Sequence, residues 1–222
     1  MKRRTLDVLF SAGGLALAVL LLVLGMVMTS NANFAKNYVK DQLGQQKISF
    51  KTADTLTAEE KDSACLVKYA GQPLLTGKQA ECYANEFIGL HVKSVTTDGA
   101  TYAQLGDQQT ALRAQIAATA ASDASLPTLQ KKLTDMTAQR ETLFKGETLR
   151  GLLLTSFGFS VFGVKGEQVA TVAYTVAALL ALLSIAGMIH AFKTPKDKAF
   201  AAPERLTSQP GTKPEPKPLI GV

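Results

Sequence analysis

Hydrophobic positions in this chain gather into two long unbroken runs, one near each end, with an amphipathic stretch between them. Residues 8–28 (VLFSAGGLALAVLLLVLGMVM) fill 21 positions without a charge or a proline. At about 1.5 Å per residue this predicts a helix of roughly 31 Å, enough to cross a hydrocarbon core of about 30 Å. Residues 169–192 fill 24 uncharged positions, long enough to span with some tilt. Ala173, Ala177 and Ala181 recur every fourth residue, as do Ala12 with Ala16 and Gly14 with Ala18 in the first run. Small residues at that spacing predict a face on which the two helices approach closely.

Between the runs the spacing is that of surface helices. Phe34, Tyr38 and Leu43 continue the first helix outward as one rod. Residues 47–54 (KISFKTAD) alternate and read as a strand or a connector. Thr57 and Glu60 have capping-box spacing and predict a helix over 58–70, ended by Gly71 and Pro73. A second helix is expected from Lys78 to about Val92, and a third over 101–119 with Tyr102, Leu105, Leu112 and Ile116 on one face. A fourth starts near Pro127, with Leu126, Leu129, Leu133, Met136, Leu143 and Phe144 in a near-heptad register that Arg140 interrupts. Two such stripes joined by the short loop 121–127 predict an antiparallel helical hairpin.

Residues 152–164 (LLLTSFGFSVFGV) fit neither pattern. Thirteen uncharged positions make a helix of about 20 Å, short of a span. The segment 152–168 therefore reads as interfacial, or alternatively as re-entrant. Its three aromatic residues, Phe157, Phe159 and Phe162, are the expected contact surface for a partner.

Charge changes the picture once it is divided along the chain. The formal net charge is +6, yet residues 31–168 hold 15 basic and 14 acidic side chains, so the excess lies in the two flanks. That distribution lacks the basic stripe a nucleic-acid partner needs. It suits a topology signal instead: Lys2, Arg3 and Arg4 hold the N-terminus inside, and Lys193, Lys196 and Lys198 hold the far end of the second span there. Ser30 and Ala32 have the chemistry of a signal cleavage site. The run before them exceeds the usual 7–15 residues or so of a signal core, which favours a retained anchor. The tail from 193, with TKPEPKP at 212–218, reads as disordered.

Candidate chemistry is sparse. Cys65 and Cys82 are the only cysteines, and outside the membrane they are expected to pair, with 16 residues between them. The only histidines are His91, at a helix end, and His190, at the inner edge of the second span. Asp54, Glu59, Glu60 and Asp62 lack calcium-loop spacing and read as capping and solvated residues. Nucleophile-elbow, zincin and phosphate-loop motifs are absent from the sequence. The runs carry no mid-membrane charge of the kind used in ion pathways.

The layout of basic N-terminus, signal anchor, cysteine-bearing outer region, second span and proline-rich tail resembles small two-span membrane proteins of actinobacteria. Some of these carry an automatic label as aromatic-ring-opening dioxygenases. That label implies a non-haem iron held by two histidines and a carboxylate. Here His91 is expected outside and His190 at the inner face, where they cannot share an iron.

The expectation is thus an all-α membrane protein, with two transmembrane helices flanking a mainly helical extracytoplasmic domain. Its parts are a cytoplasmic N-terminus (1–7), a first span (8–28), an outer domain (29–151), the segment 152–168, a second span (169–192) and a cytoplasmic tail (193–222). The expected role is that of a non-enzymatic accessory or assembly subunit of a cell-envelope complex in the cell membrane, without metal or cofactor. Its partners are the lipid bilayer and another membrane protein or a second copy. The alternatives are a channel or transporter component and an envelope enzyme with an unfamiliar site.

Overall fold

The structure, a computed structural model, describes residues 3–195. It divides into two compact units, one formed by the described residues up to Leu22 and from Tyr174 onward, the other by Val23–Ala173. Lys2 and the tail beyond residue 195 lie outside the described residues. The described chain is all-α: α1 (Arg3–Gln45), α2 (Ala58–Lys61), α3 (Ala64–Tyr69), α4 (Gly77–Cys82), α5 (Gly89–Lys93), α6 (Tyr102–Ala118) and α7 (Leu126–Lys193). A π-helical turn, Tyr83–Ile88, joins α4 to α5. Helices α1 and α7, of 43 and 68 residues, are each long and apolar enough to cross a membrane.

In the larger unit, Val39 and Leu43 of α1 and Leu153 of α7 enclose a core with Phe50, Leu66, Leu74, Ala80, Cys82 and Ala84. Residues 47–54 form a connector held by one bridge, Ser49 to Pro73, flanked by Phe50 N–H to Gln72 O and Leu74 N–H to Ile48 O, both 2.9 Å. Pro73 sits at the pair that exchanges no hydrogen bond, where its missing N–H costs nothing. The helix expected over 58–70 breaks into two. Ser63 caps α3 by accepting from Leu66 N–H, and short polar side chains favour such caps over helix interiors. Thr57, Thr76 and Thr101 each form a complete capping box, with Glu60, Gln79 and Gln104 respectively. Gly71 follows α3 with φ of +71°, a left-handed conformation that glycine adopts without strain.

The expected hairpin is present: α6 and α7 bury Leu105, Leu112, Met136 and Leu143 together. Arg140, the residue that interrupts the register, fastens it. Its guanidinium lies 4.1 Å over the Tyr102 ring and donates to Tyr102 O and to Oε1 of buried Gln109, each at 3.3 Å.

Helix α7 runs unbroken through residues 152–168, so the segment is part of one continuous helix and not a separate re-entrant element. The segment contains no proline, and Gly151 and Gly158 face open space, so nothing forces a break.

Within each unit α1 and α7 meet through small residues. In the larger unit Gly163 lies against Ala32 O and Ala35 Cβ, both 3.2 Å from where its own Cβ would be, and Gly166 lies against Ala32. In the smaller unit the contacts are reciprocal: a Cβ on Gly14 would meet Ser184 Oγ, and one on Gly187 would meet Ser11 Oγ. Ala18, Ala173 and Ala177 are buried as expected, Gly14 and Ala181 are half-buried, but Ala12 and Ala16 are exposed. The buried and half-buried positions alternate three and four apart (Ser11, Gly14, Ala18; Ala32, Ala35, Val39), which keeps a seam facing its partner. A strict step of four drifts by about 40° each time.

Candidate functional site

A groove of about 550 Å³ lies between the C-terminal part of α1 and the middle of α7. Tyr38, Val39, Gln42 and Leu43 line it from α1, Gln46 from the turn just past the end of α1, and Leu149, Leu152, Leu153, Thr155, Ser156 and Phe159 from α7. Ile48 also lines it, from the connector after α1. Helical spacing explains the wall, since Tyr38, Gln42 and Gln46 are one turn apart, as are Leu149, Leu152 or Leu153, Ser156 and Phe159. No lining residue is an Asp, Glu, Lys, Arg or His. The hydroxyls of Thr155 and Ser156 already donate to Gly151 O (2.9 Å) and Leu152 O (3.1 Å) of their own helix. The groove therefore offers apolar surface with few directional partners, and its volume lies in the range of ligand-binding clefts.

Aromatic rings extend from one end of the groove. Phe159 meets Tyr38 edge-on at 5.6 Å between centroids, and Tyr38 stacks on Phe34 at 5.8 Å. Phe162, one turn from Phe159, is 75% exposed. The three phenylalanines expected to form one contact surface are thus divided. Phe159 lines the groove, Phe162 projects into open space, and Phe157 is half-buried beneath α4, with Lys78 Nζ 4.9 Å above its ring. Residues two apart on a helix point about 200° away from each other, so Phe157 and Phe159 cannot share a face.

Cys65 and Cys82 are at disulfide-bonding distance, with Cα atoms 6.0 Å apart, and join α3 to the end of α4. Near them lies Glu60, one of the acids expected to be capping or solvated residues, which caps α2 as expected but is buried. Glu60 is only 2% exposed. Lys51 Nζ donates to both its oxygens, at 2.8 and 3.1 Å, and Thr57 N–H donates at 2.9 Å. Lys51 Nζ also lies 5.2 Å from the centre of the Phe87 ring. Rings of Tyr69, Phe50, Tyr83, Phe87 and His91 follow one another at 4.5–5.5 Å across the π turn. His91 Nδ1 is 2.7 Å from Phe87 O. Burial raises the Tyr83 hydroxyl above its ordinary value, and the nearby Glu60 charge adds to this.

Burial opposes the charge on Glu60, but the hydrogen bonds from Lys51 and Thr57 and the Lys51 charge outweigh it and hold the carboxyl below its ordinary 4.5. A depressed carboxylate contributes stability above its unfolded-state value that is lost as pH falls through the folded-state value. Acidification below about pH 4.5 is therefore expected to destabilise the larger unit. Glu60→Gln should start less stable and lose less over the same range. Denaturation followed against pH for both proteins checks this, and identical pH profiles would contradict it.

In the smaller unit His190 Nδ1 lies 3.1 Å from Asp7 Oδ2. Lys36 pairs with Glu167 in the larger unit, at exposed positions where such a pair contributes about 1 kcal/mol or less. Among the described residues no group of three or more His, Cys, Asp or Glu side chains gathers as a metal site. Comparison with known proteins finds no family model that matches the chain, and no match among curated proteins or solved structures.

Proposed function

We propose that this chain is a two-span membrane protein that acts, without catalysis of its own, as an accessory or assembly subunit of a cell-envelope complex. The carrying observation is that the two helices fit to cross a membrane continue as the walls of a helical domain whose apolar groove stays uncovered. Tyr38, Leu152, Phe159 and Phe162 remain exposed on those walls. Exposed apolar residues grouped beside a groove suit contact with a partner better than solvent. In this reading both termini are cytoplasmic, with Arg3, Arg4 and Lys193 at the inner ends, and Cys65 and Cys82 lie on the oxidising side.

A cysteine placed at Ser208 should resist an impermeant thiol reagent on intact cells and react after permeabilisation. Labelling of intact cells would overturn the topology. Gentle detergent extraction should recover a stoichiometric membrane partner. A lone monomer would remove the accessory reading, and a homo-oligomer with ion conductance would replace it with a channel.

A further inference from the structure

We infer that the groove between α1 and α7 binds a single lipid-type acyl chain that enters from the outer face of the membrane. This rests on the two-span reading, and three observations carry it. The first is chemistry: twelve residues line the groove, none is an Asp, Glu, Lys, Arg or His, and Thr155 and Ser156 have spent their hydroxyl protons on their own helix. A ligand held there gains from apolar contact and not from ion pairing or a hydrogen-bond pattern, which is how an alkyl chain binds.

The second is shape. The α1 wall from Tyr38 to Gln46 extends about 12 Å, and the α7 wall from Leu149 to Phe159 about 15 Å. A volume of about 550 Å³ over that length is a narrow slot. An amphipathic helix would bring a polar face and charged flanks to a rim whose polar residues are the neutral Gln42, Gln46, Thr155 and Ser156.

The third is continuity. Tyr38 lies ten residues beyond the end of the first apolar run and Phe159 ten residues before the second, so the near end of the groove stands about 15 Å above both. The gap is bridged by apolar rings: Phe34 stacks on Tyr38, Tyr38 meets Phe159, and exposed Phe162 lies one turn closer to the second run. Aromatic side chains favour the bilayer interface, and a ladder of them gives an alkyl chain a covered route from acyl layer to groove. Gln42 and Gln46, at the far end of the α1 wall, offer neutral hydrogen-bonding groups to a polar head.

The test uses the full chain in lipid nanodiscs, with two photoreactive probes: a diazirine analogue of palmitic acid and a phosphatidylcholine bearing the same chain. Crosslinked peptides from 38–46 and 149–159, enriched over those from 8–28 and 169–192, are expected from at least one probe. Labelling by the free acid alone identifies a fatty-acid-like source, and labelling by the phospholipid identifies a bilayer lipid. Ser156→Trp, which fills the slot from a half-buried position, should lower groove labelling several-fold, whereas Thr134→Trp on the exposed side of the hairpin should not. Retention of the Cys65–Cys82 pair in both variants controls for folding. Labelling confined to the two apolar runs, groove labelling unchanged by Ser156→Trp, or crosslinks from the groove to a second copy would each overturn the inference. Carbonate extraction separates the two readings. A protein released by carbonate that still labels in the groove removes the membrane anchor alone, and a retained protein without groove labelling removes the acyl-chain site alone.

Discussion

Replacing Gly77 with alanine is expected to destabilise the larger unit by about 2–3 kcal/mol, the usual scale of overpacking a core. Gly77 is the first residue of α4 and is buried against α7. A Cβ there would fall on Ser160 Oγ and lie 3.3 Å from the Phe157 backbone. The serine cannot turn away freely, because its hydroxyl donates to Phe157 O at 2.7 Å. Nor can α4 slide along α7, since its start is fixed by the Thr76–Gln79 capping box, with Gln79 Oε1 also accepting from Leu75 N–H. The added methyl must therefore lift one helix off the other. Gly77→Ala combined with Ser160→Gly should recover most of the loss. Gly151→Ala and Gly158→Ala, where nothing lies within 4 Å, should instead gain up to about 1 kcal/mol through helix propensity. Denaturation of the four variants in one detergent gives the comparison. A Gly77→Ala protein as stable as the parent would refute the packing of α4 on α7 described above.

Loss of the cysteine pair is expected to have an effect of similar size. Cys65→Ser with Cys82→Ser should cost about 3 kcal/mol in the chain-entropy account of a loop with separation 17. The effect should concentrate in α2–α5, because those helices are four to six residues long and cannot hold their form alone. Limited proteolysis should cut the serine variant first within 46–93 and leave the α6–α7 hairpin protected. Mass spectrometry after alkylation without reductant should find neither thiol modified in the parent protein. Two alkylated cysteines would contradict the pairing.

Much of this fold could be read from local pattern. The Thr57–Glu60 box, the stripe of Leu105 and Leu112, the partner stripe of Met136 and Leu143, and the continuation of α1 past the first apolar run all follow from residues close in sequence. The Thr76–Gln79 and Thr101–Gln104 boxes carried the same signature with glutamine in place of glutamate. What escaped depends on residues far apart. The capping role of Glu60 was legible, but its burial was not, because its partner Lys51 belongs to another element. Ala12 and Ala16 looked like packing residues because a count of four fits an isolated helix, whereas the seam follows the partner helix. The groove has no motif at all. It arises where Tyr38 and Phe159, separated by more than a hundred residues, come to face each other. An apolar segment too short to span drew attention to 152–164, but only the continuity of α7 shows that one side of it is wall and the other is core.

The pairing of α1 with α7 also sets an order on how the chain is made. The two residues of the Lys36–Glu167 pair are 131 positions apart, and those of the Asp7–His190 pair 183. By contrast, the caps, the bridge at Ser49 and the cysteine pair close loops of three to 24 residues. Loop closure grows slowly more costly with length, but a contact cannot form before its second half has been synthesised. The caps and the cysteine pair can therefore close while α7 is still emerging, and the contacts of α1 with α7 in each unit form last. Until then α1 waits with Ser11, Gly14, Ala18 and Ala32 uncovered, so the newborn chain passes through an interval in which a chaperone or a neighbouring helix can occupy the place of α7.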